Sequence, residues 1–277
     1  MPNLSDEFCL MNDQQMSLIL ELLANQSGLP PIDAYKESCV KRRIAARVRR
    51  SGCSDIGNYI LRLSNDPAEG VALAASLMIH VSQFFRNPTM FEALGARLKS
   101  LFTEQQTGRV VRCWSMGCSA GEEPYSLAIM LLELFPEAVK MNQVEVLATD
   151  IDSRTLLLAK AGLYDESAVR EVSPERRDCF FTLDENSFRL TPVVQRLVKF
   201  RQMDLQQVDA YPFADVILCR NTLIYFNRPA QEKILHGLAD ILPQDGILVL
   251  GKSESMPASL RHRFETIDPV ERMYCRR

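Results

Sequence analysis

The run GCSAGEEPYSLA, residues 117–128, sets two glycines and two adjacent glutamates directly after the apolar stretch Val110-Val111-Arg112-Cys113-Trp114. An apolar strand, a glycine turn and the start of a helix form the arrangement with which nucleotide-binding folds approach a ligand, and Gly117 and Gly121 would let backbone come close to it. A pyrophosphate at such a helix start is held by free amides and the helix dipole, and Glu122 and Glu123 would repel it. The chemistry favoured here is recognition of a nucleoside-like ligand without phosphates and with positive charge. S-adenosylmethionine, an adenosine with a sulfonium and an ammonium, meets both demands. A tight turn before an acid-capped core helix gives the same local pattern, so the rest of the chain has to decide.

Asp150 ends the apolar run in ATDID, where a carboxylate commonly accepts hydrogen bonds from ribose hydroxyls. Seen alone it would be a helix cap, a task open also to Asp152 or Ser153; paired with the 117–121 loop, it is assigned to the ribose. In QFFRNP, residues 83–88, Phe84 and Phe85 read as core, and Arg86 is either a surface charge or a site residue. In CRNTLIYF, residues 219–226, Arg220 and Asn221 fall at the carboxyl end of a strand, where open α/β sheets bind ligands. Tyr225 lies a turn further on, as a site residue or a buried aromatic. Residues 36–50 hold seven Lys or Arg against one Glu. Val40, Ile44 and Val48 form the apolar stripe of that helix, with Arg43, Arg47 and Arg50 alongside and Lys41, Arg42 and Arg49 adding charge. This is either a solvated face or a surface for an acidic partner, protein or nucleic acid. His80 reads as structural and His236 as a helix-surface residue.

The elements that would carry these residues fall into two regions. Residues 12–82 read as helices. Asn12 or Asp13 caps the first, which Gly28-Leu29-Pro30-Pro31 stops; the second runs from about Ile32 to Ser51 and ends at Gly52. Ser54 caps the third and Pro67 begins the fourth. After Pro88, helix and strand alternate: a helix to about Phe102, strand 110–116, helix 121–134, strand 144–149 and helix 153–161. This predicts a mostly parallel sheet wrapped by helices. Between Gly162 and Phe200 the alternation breaks, and residues 177–183 and 188–190 flank Asp184-Glu185-Asn186-Ser187 as an inserted hairpin. Strands at 198–202, 214–219 and 246–251, a helix at 229–242 and two antiparallel edge strands from Phe264 to Tyr274 complete the pattern.

With 277 residues, 47% of them hydrophobic, the chain can bury one large core or two smaller ones. It has no apolar run long enough for a membrane span, and its polar, acidic N-terminus is unlike a secretory signal, which places it in the cytoplasm without membrane insertion. The eight cysteines lack paired CxxC spacing and the three histidines lie away from them, so they read as reduced structural thiols and no metal is expected.

Taken together, QFFRNP (83–88), GCSAGEEPYSLA (117–128), ATDID (148–152), CRNTLIYF (219–226) and GKSES (251–255), in this order, resemble the chemotaxis receptor protein-glutamate methyltransferases, called CheR. The resemblance covers nearly the whole chain. It implies an all-α N-terminal receptor-docking domain with its linker (1–87), then a doubly wound, Rossmann-like S-adenosylmethionine domain (88–277) carrying a small antiparallel β-subdomain (163–196). It also implies cofactor contacts at His80, Ser82, Arg86, Gly117, Glu123, Asp150, Asp204, Leu205, Arg220 and Asn221, with Arg86 and Tyr225 nearest the transferring methyl. The chain departs from the family at His80-Val81-Ser82, where Asn-x-Thr is common; Ser82 keeps the hydroxyl. The implied reaction methylates glutamate side chains on the cytoplasmic helical bundle of a chemoreceptor, leaving S-adenosylhomocysteine. Arg43, Arg47 and Arg50 would dock on that bundle, with no nucleic acid as partner and the enzyme a monomer. Some family members hold a receptor's C-terminal pentapeptide on a glycine-rich loop of the subdomain. Here no glycine occurs from Leu163 to His236 and the turn is acidic, so a pentapeptide-independent enzyme is expected.

Overall fold

Asn12 starts the first described helix by reciprocal capping. Its Oδ1 accepts the Gln15 amide at 2.8 Å while Gln15 Oε1 accepts the Asn12 amide at 3.1 Å. The computed structural model describes residues 11–27, 33–78, 82–104 and 110–277. Their contacts form two compact units, one of residues up to 79 together with Tyr225–Ala230, the other of His80–Ile224 with Gln231–Arg277. Phe84 and Phe85 are buried in the core of the second unit.

The first unit packs helices α1 (Asp13–Ser27), α2 (Glu37–Ser51), α3 (Ile56–Asn65) and α4 (Pro67–Leu77) around Ile19, Leu23, Ile44, Val48, Tyr59, Leu63 and Leu73. Helix α2 starts at Glu37 rather than Ile32. Tyr35 is held in an antiparallel bridge to Phe226, with their rings stacked at 4.8 Å, and the Lys36 amide donates to the Tyr225 carbonyl at 2.8 Å, which keeps this backbone extended. Gly52 ends the helix at φ 75°, as its lack of a side chain allows. The cap of α3 is Asp55, not Ser54: the carboxylate accepts the Asn58 amide at 2.8 Å, and the Ser54 hydroxyl donates to Asp55 instead.

Arg43 and Arg47, two of the residues expected to dock on a receptor, also make contacts within this unit. Arg47 grips Glu69 with two bonds, of 2.7 and 2.6 Å, and the Tyr59 hydroxyl adds a third at 2.9 Å. Burial by itself would raise the Glu69 carboxyl, but Arg47 and Tyr59 outweigh it and hold the group below its ordinary value. Arg43 Nη1 donates to the carbonyls of Ser76, Leu77 and Met78, the open end of α4, and its guanidinium lies 5.8 Å from the centre of the Tyr225 ring. Both side chains hold helices together. The exposed basic residues of α2 are Arg42, Arg49 and Arg50.

In the second unit the strands are β1 (Val111–Met116), β2 (Val144–Asp150), β6 (Val198–Gln202), β7 (Val216–Cys219), β8 (Ile247–Leu250), β9 (Phe264–Asp268) and β10 (Met273–Arg276). Among the described residues they form a seven-stranded sheet in the order β6-β2-β1-β7-β8-β10-β9. All pairings are parallel up to β8, and β10 runs antiparallel to both its neighbours. Of the two C-terminal strands, expected as an edge pair, β9 lies at an edge and β10 is inserted between it and β8. Every residue of β7 and β8 is buried, as strands covered on both faces require. The chain winds from β1 through β2 to β6 on one side and resumes at β7 on the other. The switch point between β1 and β7 is where such sheets open a crevice at their carboxyl ends.

The inserted subdomain is a second sheet, β3 (Leu163–Tyr164), β5 (Ser187–Leu190) and β4 (Phe181–Asp184), in the order β3-β5-β4. Residues 177–180, expected in the hairpin, complete a helix, Pro174–Phe180, because Ser173 caps it through the Arg176 amide and Pro174 fixes its first turn. Phe84 anchors the subdomain edge-on against Tyr164 and Phe181, with ring centres 4.8 and 5.3 Å apart.

Candidate active site

Strand β1 ends at Met116 and the chain turns through Gly117 at φ 62°, where a Cβ would lie 2.6 Å from Thr222 Oγ1. Ser119 (φ 52°) and Gly121 (φ 96°) also occupy the left-handed region, and the helix Glu122–Leu134 follows. The turn is fixed to the neighbouring strand: the Cys118 amide donates to Thr149 O at 3.0 Å and the Ser119 amide to Asp150 Oδ2 at 2.9 Å. Asp152 takes the capping task, accepting the Arg154 amide at 2.9 Å, and Asp150 faces the glycine turn. The Met203 amide donates to the Asp150 carbonyl at 3.0 Å, which ties the chain leading to Asp204 and Leu205 to the end of β2. Asp204 accepts the Gln206 amide, and Leu205 O accepts the Tyr211 hydroxyl.

Glu123 and Arg220 meet across β1 and β7. Arg220 Nη1 donates to Glu123 Oε2 at 3.0 Å, and the Ser115 hydroxyl donates to the other oxygen at 2.8 Å. Burial raises the Glu123 carboxyl above its ordinary value, with Arg220, Ser115 and Arg86 opposing. The second Arg220 nitrogen, Nη2, donates to Arg86 O and Asn87 Oδ1, each at 2.8 Å. Ser126 holds the same segment from the other side, accepting the Phe85 amide at 2.7 Å. Arg86 therefore sits between Phe85 (φ 51°) and Asn87 (φ 61°). Asn adopts the left-handed region readily, but a bulky Phe is held there only where the surroundings over-determine the backbone, and such strain concentrates at functional sites. No sequence signal marks it at Phe85.

Glu122 is buried and takes a hydrogen bond from the Ser82 side chain; burial lifts its carboxyl from the ordinary 4.5 to about 6. Below about pH 4.5 the protonated group stabilises the fold fully, and that contribution is lost as the pH rises through 6, a change of about 2 kcal/mol. The ligand-free Glu122→Gln variant is accordingly expected to melt above wild type at pH 8 and with it at pH 4. Coincident calorimetric melting at both pH values would show that the carboxylate is not under this stress.

The residue that motif reading did not single out is Glu254, which accepts backbone amides from the 221–224 loop. Tyr225 belongs by its contacts to the first unit, where its carbonyl accepts Lys36 and its ring faces Arg43. His80 lies outside the described residues. The second unit thus brings together Ser82, Arg86, Gly117, Glu123, Asp150, Asp204, Leu205, Arg220 and Asn221 along the carboxyl ends of β1, β2, β6 and β7.

These residues suit a cationic nucleoside cofactor. Ser119 Oγ and Glu122 Oε2 are buried at the glycine turn without a hydrogen-bond partner in the protein, and the nearby carboxylates Asp150 and Glu123 complete an acidic surround. The fold and site define an S-adenosylmethionine-dependent methyltransferase. The model of the CheR methyltransferase S-adenosylmethionine-binding domain matches residues 80–272, and that of the CheR all-alpha domain matches 14–78. The chain belongs to the CheR methyltransferase family. It is 36% identical to a probable chemotaxis protein methyltransferase of Rhizobium etli, over 85% of this chain and 91% of the relative. It is 32% identical to the chemotaxis protein methyltransferases of Listeria monocytogenes (80% and 83% covered) and Vibrio anguillarum (93% and 94%). No helix among the described residues is long and apolar enough to cross a membrane.

Proposed function

We propose that this protein transfers the methyl group of S-adenosylmethionine to glutamate γ-carboxylates on the cytoplasmic helical bundle of a chemoreceptor, and that it works in the cytoplasm. The observation that carries the reading is the set of acidic groups, Glu122, Glu123 and Asp150, around the glycine turn, next to an arginine held on strained backbone. When bound, the cofactor supplies an electrophilic methyl on a sulfonium. The acceptor glutamate is already ionised at neutral pH, so the chain need supply no general base. Its task is alignment of acceptor oxygen, methyl and sulfur, and exclusion of water that would solvate the carboxylate. Asp150 holds the ribose, Ser82 and Glu123 serve the charged end of the cofactor, and Arg86 orients the acceptor carboxylate, a task that the resemblance also gives to the Tyr225 hydroxyl.

The helical unit is the docking element in this reading, through Arg42, Arg49 and Arg50, the exposed charges of α2. We assign pentapeptide independence to the subdomain because its β4–β5 turn, with Glu185 at φ 54°, is acidic and lacks glycine. Reversing Arg42, Arg49 and Arg50 together to Glu is expected to slow receptor methylation roughly tenfold at low salt, each exposed pair contributing up to about 1 kcal/mol. S-adenosylhomocysteine affinity should be unchanged, and the wild-type rate should fall as salt screens the surface. Deleting the receptor's C-terminal tail is expected to leave the rate unaltered. Wild-type rates in the triple reversal would remove the docking assignment.

A further inference from the structure

Strand β8 runs into Gly251-Lys252-Ser253-Glu254, a turn closed by the Glu254 amide donating to Gly251 O at 2.9 Å. The Glu254 side chain folds back into the protein, with the residue only 5% exposed. Its Oε1 accepts the amides of Thr222 (2.9 Å), Leu223 (2.7 Å) and Ile224 (3.3 Å), and Oε2 those of Asn221 (3.1 Å) and Gly251 (2.7 Å). Burial raises this carboxyl and the amides oppose it. Successive amides converge on one point because Asn221 takes the left-handed region at φ 55°, so that the loop forms a concave nest for an anion. Gly251 completes the cradle: a Cβ there would stand 2.7 Å from both the Asn221 nitrogen and Glu254 Oε2. The nest is filled by the protein's own carboxylate. It lies between Arg220, which grips Glu123 and the Arg86 segment, and the turn that leads to Tyr225.

We infer that Glu254 is a positioning residue, whose carboxylate holds the 221–224 loop in the shape that presents Asn221 to the cofactor. This rests on the cofactor reading given under Proposed function and on the cofactor contact that the family resemblance implies for Asn221. A merely space-filling glutamate would have its role kept by the isosteric Glu254→Gln variant. An amide, however, turns a donor toward either two or three backbone donors and leaves them unsatisfied. Hydrogen exchange is expected to accelerate in peptides covering residues 219–226 while the rest of the second unit keeps its protection, and S-adenosylhomocysteine affinity should fall roughly tenfold or more. Glu254→Asp, one methylene shorter with the charge retained, should fall between. Unchanged exchange in Glu254→Gln overturns the inference, and so does a loosened loop that binds S-adenosylhomocysteine as wild type does, which would leave Glu254 a structural role alone. A wild-type protein that fails to bind S-adenosylhomocysteine overturns the cofactor reading beneath it. That failure is distinguishable, because the exchange comparison needs no ligand.

Discussion

Replacing Arg220 by alanine is expected to destabilise the second unit by about 3–5 kcal/mol, the usual consequence of leaving one partner of a buried ion pair uncompensated. The Arg220 side chain is 3% exposed and that of Glu123 14%, so the pair is largely shielded from solvent. The same change releases Arg86 O and Asn87 Oδ1, and cofactor affinity should fall with stability. The double variant Glu123→Gln with Arg220→Met removes both charges and is expected to recover most of the stability, as apolar replacements of buried pairs do. It should not recover binding, because the 85–87 segment loses its anchor in both. Urea unfolding together with titration of S-adenosylhomocysteine separates the two effects. Wild-type stability and affinity in Arg220→Ala would mean that the ion pair organises nothing.

Arg86→Ala is expected to lower turnover roughly 10²-fold, the scale of removing one donor from a reacting centre, while S-adenosylhomocysteine affinity falls less, about tenfold. Arg86→Lys should restore only part of the rate, because an ammonium cannot reproduce the planar fork that grips a carboxylate. If Tyr225 orients the acceptor, Tyr225→Phe should lower turnover and leave cofactor affinity in place. Steady-state rates on receptor membranes with calorimetric affinities decide it. Equal losses in turnover and affinity for both residues would assign them to cofactor binding, and unchanged rates would remove them from the site.

The glycine turn, Asp150 at the end of its strand and the parallel sheet were legible in the sequence because each depends on local periodicity and on residues adjacent along the chain. The basic helix was legible as a helix, but the contacts its arginines make within the protein were not. Arg43 and Arg47 flank the apolar stripe of Val40, Ile44 and Val48, and their partners, Ser76 to Met78 and Glu69, lie 22–35 residues away. Spacing on one helix cannot distinguish a charge that faces a partner protein from one that seals the end of a neighbouring helix. The role of Glu254, though the residue lies in the GKSES run, was hidden for a related reason. Four of its five donors are backbone amides 30–33 residues earlier in the chain, and amides leave no residue type to read. The start of α2 moved to Glu37 because a bridge to Phe226, remote in sequence, outweighed the helix propensity of the residues before it.

The measurement closest to the central claim is incubation of the protein with methyl-labelled S-adenosylmethionine and chemoreceptor-containing membranes, followed by mild alkali. Label is expected on the receptor band, released by the alkali as volatile methanol, the signature of a glutamyl methyl ester. Label that withstands alkali, or that enters nucleic acid and not the receptor, would contradict it.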